Sequence, residues 1–110
     1  MTPEEAVHST YDAYNVRDLS RALANLSPDV DWDDGAGHML HGKDAVARHW
    51  QDQWRTADAH VAIKQLEWAR AQLRASVQLT TRKPDGAQAQ QTLTNTIELD
   101  GQLIRAMRIG

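Results

Sequence analysis

The sequence predicts an α+β domain, and three observations carry that prediction. Apolar residues recur at helical spacing through the first part of the chain and again around Trp50. From His60 onward the apolar period shortens to two, as in strands with one buried face. Two turn signatures, Lys83-Pro84-Asp85-Gly86 and Asp100-Gly101, then divide that second half into an antiparallel meander.

At 110 residues and 41% hydrophobic, the chain suits one domain over 1–110, large enough to bury a core with a modest cavity. The net charge of -3, with basic residues scattered instead of striped, argues against a nucleic-acid surface. No apolar run is long enough for a bilayer span and no basic-then-apolar leader precedes the first helix, so the expected compartment is the cytoplasm with no membrane partner. The absence of cysteine excludes disulfides and thiolate chemistry. The aromatic set is four Trp and two Tyr with no Phe, so every large ring carries an N–H or O–H that needs a partner when buried. Such rings suit a cavity wall.

Thr2-Pro3-Glu4-Glu5 starts the first helix, with Thr2 as cap, Pro3 at the first helical position and Glu5 closing a capping box. The helix runs to about Val16, with Val7, Thr10, Tyr11 and Tyr14 on its inner face and His8, Asp12 and Asn15 nearer solvent. Asp18 caps a second, shorter helix with the stripe Leu19, Ala22, Leu23 and Leu26, which Ser27-Pro28-Asp29 ends. Gly42-Lys43-Asp44 leads into a third helix in which Val46, Trp50 and Trp54 repeat every fourth residue. Helices one and three are each apolar along one side, so both are expected to cover a sheet. The strands are expected at His60–Trp68, Gln72–Arg82, Gln88–Leu99 and Gln102–Ile109. Leu73, Ala75, Val77, Leu79 and Thr81 face inward in the second of these, and Leu93, Asn95, Ile97 and Leu99 in the third, which leaves Asn95 as the one amide on an apolar face. In the last strand Leu103, Arg105, Met107 and Ile109 alternate with Gln102, Ile104, Ala106 and Arg108. Both of its faces are then partly apolar, one toward a pocket and the other toward a partner subunit.

The chemistry is concentrated between Asp29 and Gly42, where four carboxylates and two histidines lie between helical segments. Strand alternation puts Val30, Trp32 and Asp34 on the apolar side and Asp29, Asp31 and Asp33 on the other. A carboxylate beside Trp32 and facing a core must be paired, solvated or shifted in pKa, as a general base is. The other reading ends the strand at Gly35 and Gly37 and leaves Asp34 on a wet turn. His38-x-x-His41 beside Asp33 and Asp34 invites a metal, but a glycine-rich loop gives no rigid ligand spacing, so no metal is expected and His38 is assigned to the pocket rim. His49 is read as a surface or packing residue, and His8 and His60 as solvent-facing.

Tyr14-Asn15-Val16-Arg17-Asp18-Leu19, Leu26-Ser27-Pro28-Asp29-Val30-Asp31-Trp32, Gly42-Lys43-Asp44-Ala45-Val46 with Trp50, and Ile104-Arg105-Ala106-Met107-Arg108-Ile109 occur in an order that resembles the SnoaL-like and ketosteroid-isomerase-like branch of the nuclear transport factor 2-like superfamily. The resemblance covers essentially the whole chain. It implies a cone of N-terminal helices on a curved, mainly antiparallel sheet, a deep apolar pocket for a small organic ligand, no cofactor, and a homodimer through the sheet. It also places the isomerase's aspartate base on Asp34, its tyrosine donor on Thr10 and its protonated aspartate donor near Asn95. The donors differ here; Tyr14, one turn beyond Thr10, is the expected substitute, and Asn95 donates through its amide.

Two functions are therefore expected. In the first, an isomerase, cyclase or hydratase-like enzyme, Asp34 is the base and Asn95 with Tyr14 stabilises the oxyanion; Thr10, Trp32, His38, Trp50, Trp54, Leu93, Ile97, Arg105 and Met107 contact the substrate. In the second, the fold is a ligand-binding or dimerisation module without catalysis, and an Asp34–Arg105 pair would favour it. Epoxide hydrolysis ranks lowest, since it uses two inward carboxylates around an arginine and only Asp34 is an evident inward acid.

Overall fold

In the computed structural model, which describes residues 1–110, helix α1 (Pro3–Asn15) begins at the capping box. Thr2 Oγ1 accepts from the Glu5 N–H at 3.1 Å and the Glu5 carboxylate accepts from the Thr2 N–H at 3.0 Å, so two otherwise orphaned donors are satisfied. Val7, Thr10, Tyr11 and Tyr14 form its buried face, as their spacing requires. Asp18 caps α2 (Leu19–Ala24). That helix is shorter than its sequence stripe suggests, because Leu26 already belongs to β1 (Leu26–Asp33) and pairs with Ile104. The glycine-rich stretch then forms a short strand, β2 (Met39–His41), which the sequence reading missed, before α3 (Lys43–Thr56). Three residues with no alternating pattern give too little periodicity to mark a strand.

The meander follows as β3 (Asp58–Ala69), β4 (Gln72–Arg82), β5 (Gln88–Asp100) and β6 (Leu103–Ile109). The single sheet runs β2-β1-β6-β5-β4-β3, antiparallel throughout except that β1 and β6 are parallel. Its inner face meets α1 and α3, and the core between them includes Val7, Leu26, Val30, Val46, Trp50, Leu73, Val77, Ile97 and Ile104. This is the α+β cone that the sequence resemblance implied. No helix is long and apolar enough to cross a membrane.

Strict alternation fails in β6. Glu98 pairs with Ala106 but the adjacent Leu99 pairs with Ile104, so Arg105 is an extra residue and the strand bulges there. Ile104 and Met107 consequently both turn inward and are buried, while Arg105 faces out. Its guanidinium reaches Glu98 at 3.4 Å, and Arg108 reaches the same carboxylate at 3.2 Å. Those arginines, Arg108 foremost, hold the Glu98 carboxyl below the usual range. The expected substrate contact from Arg105 is thereby corrected, and the open question of an Asp34–Arg105 pair is answered by the pairing of Arg105 with Glu98 instead. The outer face of the last strand is also less apolar than alternation suggested, because Ile104 has left it.

Asn15 is a second departure, since it works at the sheet edge and not in solvent. Its side-chain amide donates to the Val61 carbonyl at 2.8 Å and its carbonyl accepts from the Val61 N–H at 2.8 Å. One side chain thus completes the ladder of edge strand β3 and ties it to α1. Asn15→Ala removes both bonds and is expected to lower stability by about 1–3 kcal/mol in urea unfolding; Asn15→Asp, which keeps only the acceptor, is expected to fall between.

Candidate functional site

Between the inner face of the sheet and helices α1 and α3 lies a cavity of about 250 Å³ that opens to solvent. Thr10, Tyr11 and Tyr14 line it from α1, Trp32, Asp33, Asp34 and Gly35 from the end of β1, and His49, Trp50 and Gln53 from α3. The sheet contributes Val61, Leu79, Gln91, Leu93, Asn95, Met107 and Ile109. Of the residues selected from sequence, Asp34, Tyr14, Asn95, Thr10, Trp32, Trp50, Leu93 and Met107 are therefore brought together.

Asn95 does meet a tyrosine, but it is Tyr11 and not Tyr14. The Asn95 amide donates to the Tyr11 hydroxyl at 2.7 Å, and both residues are buried. Burial, opposed by that hydrogen bond, pushes the Tyr11 phenol up to about 12. Because its oxygen already accepts from Asn95, the Tyr11 proton is free to be donated elsewhere. The hydroxyl of Tyr14 instead donates to Gln53 Oε1 at 3.0 Å, and its ring packs against Trp50 and Trp54. Two buried oxygens of the lining, Thr10 Oγ1 and Asn95 Oδ1, have no hydrogen-bond partner.

Asp34 lies one residue beyond the end of β1, so it combines the two sequence readings: its residue lines the cavity and its carboxylate organises a turn. Gly35 at φ +79° and Gly37 at φ +92° let the chain fold back, and Oδ1 of Asp34 accepts from the N–H groups of Ala36 at 2.7 Å and His38 at 3.1 Å. Oδ2 keeps only the solvent-exposed His38 imidazole, at 3.3 Å. The two backbone donors lower the Asp34 pKa, with His38 and His49 adding to them. Neighbouring Asp33 is spent on structure, since it accepts from the N–H of Gly35 at 2.8 Å and of Ile109 at 3.1 Å. His49 is partly buried, and desolvation lowers its pKa against the pull of Asp34, so the imidazole is neutral at pH 7.

A carboxylate with a depressed native pKa stabilises the fold above its unfolded pKa, and that contribution is lost as pH falls through the native value. Asp34 therefore contributes stability at neutral pH that begins to be lost as pH falls below about 4 and is gone once pH passes its lowered native value. Comparing the urea midpoints of the wild type and Asp34→Asn from pH 7 to pH 3 checks this; the difference between them is expected to shrink as pH falls.

Four predicted contacts lie elsewhere. His38 is 77% exposed at its side chain and touches the outer side of the Asp34 turn. Trp54 packs on Tyr14 and under the Arg17 guanidinium, 5.6 Å from the ring centre, and so anchors α3 to the Arg17 bend. Ile97 is wholly buried in the core, and Arg105 faces out at the bulge. The paired histidines do not converge, because His38 meets Asp34 whereas His41 meets Asp31 at 2.8 Å, a contact that raises the His41 pKa. No arginine lines the cavity, so the arrangement needed for epoxide opening is missing. Sequence reasoning overlooked Tyr11 as the partner of Asn95, and His49 and Gln53 as lining. The signal for the last two was present: they stand four apart, flanking Trp50 on the inner side of α3.

Known structures share this fold. A putative polyketide cyclase from Pseudomonas putida superposes with a TM-score of 0.88 at 20% identity, covering 100% of this chain and 91% of its own. The Δ5-3-ketosteroid isomerase of Mycobacterium sp. gives 0.86 at 19% identity, with 100% and 93% covered. A Mycobacterium tuberculosis protein in complex with estradiol-17β-hemisuccinate gives 0.85 at 18%, with 99% and 93% covered. At these identities the likeness establishes the fold alone. No curated protein sequence matches the chain. The SnoaL-like domain model, however, matches residues 7–107. With that match spanning nearly all of the cone and its cavity, the chain belongs to the SnoaL-like domain family.

Proposed function

We propose that the cavity binds a small, mainly apolar organic molecule through an oxygen held by Tyr11, and that Asp34 moves a proton on it in an isomerase, cyclase or dehydratase-like reaction that needs no cofactor. One observation carries the reading: a single cavity is lined by a carboxylate with one oxygen outside the turn's backbone hydrogen bonds, beside only the exposed His38, and by a buried, neutral phenol whose proton is free. Asp34 Oδ2 takes a proton from the carbon next to a carbonyl, and the electron pair of that C–H bond moves onto the carbonyl oxygen. Tyr11 donates a hydrogen bond to the charge that develops there, which a fixed donor stabilises by about 3 kcal/mol. Where the enolate is conjugated with a carbon–carbon double bond, the carbonyl re-forms, the double bond shifts, and the far carbon takes the proton back from Asp34, so that no net proton is consumed. Trp32, Trp50, Leu93 and Met107 form the apolar wall against the body of the ligand.

The similar solved structures support this class, since they include an isomerase, a putative cyclase and a protein with a bound steroid derivative. Exchange of α-hydrogens for deuterium in small cyclic ketones, followed by NMR, tests the proposal. Exchange that depends on Asp34 supports it. A second reading, ligand binding without catalysis, is favoured by the depressed pKa of Asp34, which weakens it as a base. Saturable binding with no exchange would select that reading. A homodimer across the outer face of the sheet belongs to the same proposal. Arg74, Thr94, Thr96 and Glu98 make that face polar, and sedimentation over a range of concentrations reads the association.

A further inference from the structure

We infer that the protein carries a second ligand site, for a phosphate dianion either free or as a monoester, in an open cleft of about 380 Å³ beyond the end of α3. Residues from four stretches of the chain meet there. Arg17 comes from the bend after α1, Trp54 and Arg55 from the last turn of α3, Asp58 from the start of β3, and Arg82 with Lys83 from the end of β4. The basic residues are scattered in sequence, yet folding gathers four of the twelve here, in a chain of net charge -3. Like charges brought together repel unless something balances them.

Pairing within the protein balances only part of this charge. Asp58 stands opposite Arg82 in the β3–β4 ladder, but its carboxylate is taken by the Arg17 guanidinium at 2.8 Å and the His60 ring at 3.0 Å. Arg17 also donates to the Ala59 carbonyl at 2.8 Å, and Arg55 pairs with Asp52. Arg82 and Lys83 take part in no ion pair. Asp85, in the hairpin turn, does not line the cleft, and its carboxylate accepts from the Ala87 N–H at 2.8 Å. Two cations of the lining are therefore uncompensated. The carbonyl end of α3 opposes an anion, but a helix terminus amounts to about half a charge, against two full ones here.

An unused donor lies in the same lining. Trp54 Nε1 is buried and has no hydrogen-bond partner, whereas the Thr56 hydroxyl and the Ala57 N–H are already spent on carbonyls of α3. A buried N–H without an acceptor is costly. The cleft thus combines two unpaired cationic side chains and an orphan indole donor, and lacks a negatively charged acceptor. A phosphate dianion supplies both charges and only acceptor atoms, and its oxygens match the guanidinium fork of Arg82. A carboxylate monoanion would leave one cation unbalanced.

The site is tested with inorganic phosphate and phenyl phosphate, titrated at pH 7.5 and at ionic strength held constant with sodium chloride. The indole N–H resonances are followed by NMR, with that of Trp54 assigned from Trp54→Phe or, should that variant fail to fold, from its contacts with Tyr14. The Trp54 resonance is expected to shift saturably, while that of Trp68, exposed at the far end of β3, stays in place. The double variant Arg82→Gln with Lys83→Gln, at two exposed positions, is expected to bind at least about tenfold more weakly. Tighter binding of phenyl phosphate than of phosphate supports the site and assigns it to monoesters; equal affinity supports it and assigns it to the phosphate group alone. A Trp54 resonance unmoved by either probe overturns the inference. A shift that sodium chloride reproduces, or an affinity unchanged in the folded double variant, overturns it as well.

Discussion

Asp34→Asn is expected to cut ketone α-hydrogen exchange by about 10²–10⁴-fold, the range that a positioned general base supplies. The fold is expected to survive, because an asparagine Oδ1 still accepts from the N–H groups of Ala36 and His38 that hold the turn. What is lost is the ionised oxygen with spare capacity, Oδ2, which has only exposed His38 beside it. The rate is measured by deuterium incorporation with circular dichroism as the control for folding. A variant that exchanges as fast as the wild type removes Asp34 from the mechanism and turns attention to His49, the neutral imidazole in the same lining.

Trp50→Ala is expected to destabilise the protein by about 3–5 kcal/mol, as truncation of a buried tryptophan does. Trp50 is 2% exposed, and its ring stands edge-on to Trp32 at 5.3 Å and to Tyr14 at 5.8 Å. It therefore joins α3, β1 and α1 at the wall of the cavity. A domain of this size has about 5–15 kcal/mol of total stability, so the variant is left marginal. Urea unfolding followed by circular dichroism reads the loss. A change below about 1 kcal/mol would mean that α3 is held mainly by Val46 and Trp54 instead.

The elements that sequence predicts best are those whose pattern is long and whose ends are chemically marked. The capping box fixed the start of α1, Gln72–Arg82 is β4 to the residue, and the two turn signatures mark the β4–β5 and β5–β6 connections. Asn95 emerged from alternation alone, and in the structure it is the buried amide of the cavity. Alternation misled where the strand carried an irregularity. One extra residue at Arg105 reversed the faces around it, and nothing local in Leu103-Ile104-Arg105-Ala106 announces a bulge. Asp34 was only half legible for a similar reason: strand period put it on the inner side, whereas its carboxylate is shaped by backbone donors of the turn that follows. The Tyr11 pairing was out of reach of periodicity. It depends on which of two neighbouring inward tyrosines stands over Asn95, a matter of how α1 is docked on β5.

The central claim is that a ligand oxygen meets Tyr11 inside the cavity. The most direct measurement is the ¹³C resonance of the Tyr11 ring carbon bearing the hydroxyl, followed while the bicyclic ketone 1-tetralone is titrated into the wild type and assigned with Tyr11→Phe. The account predicts a saturable shift at Tyr11, with a smaller one at Tyr14, whose hydroxyl stays on Gln53. Binding detected by calorimetry with Tyr11 unmoved would contradict it.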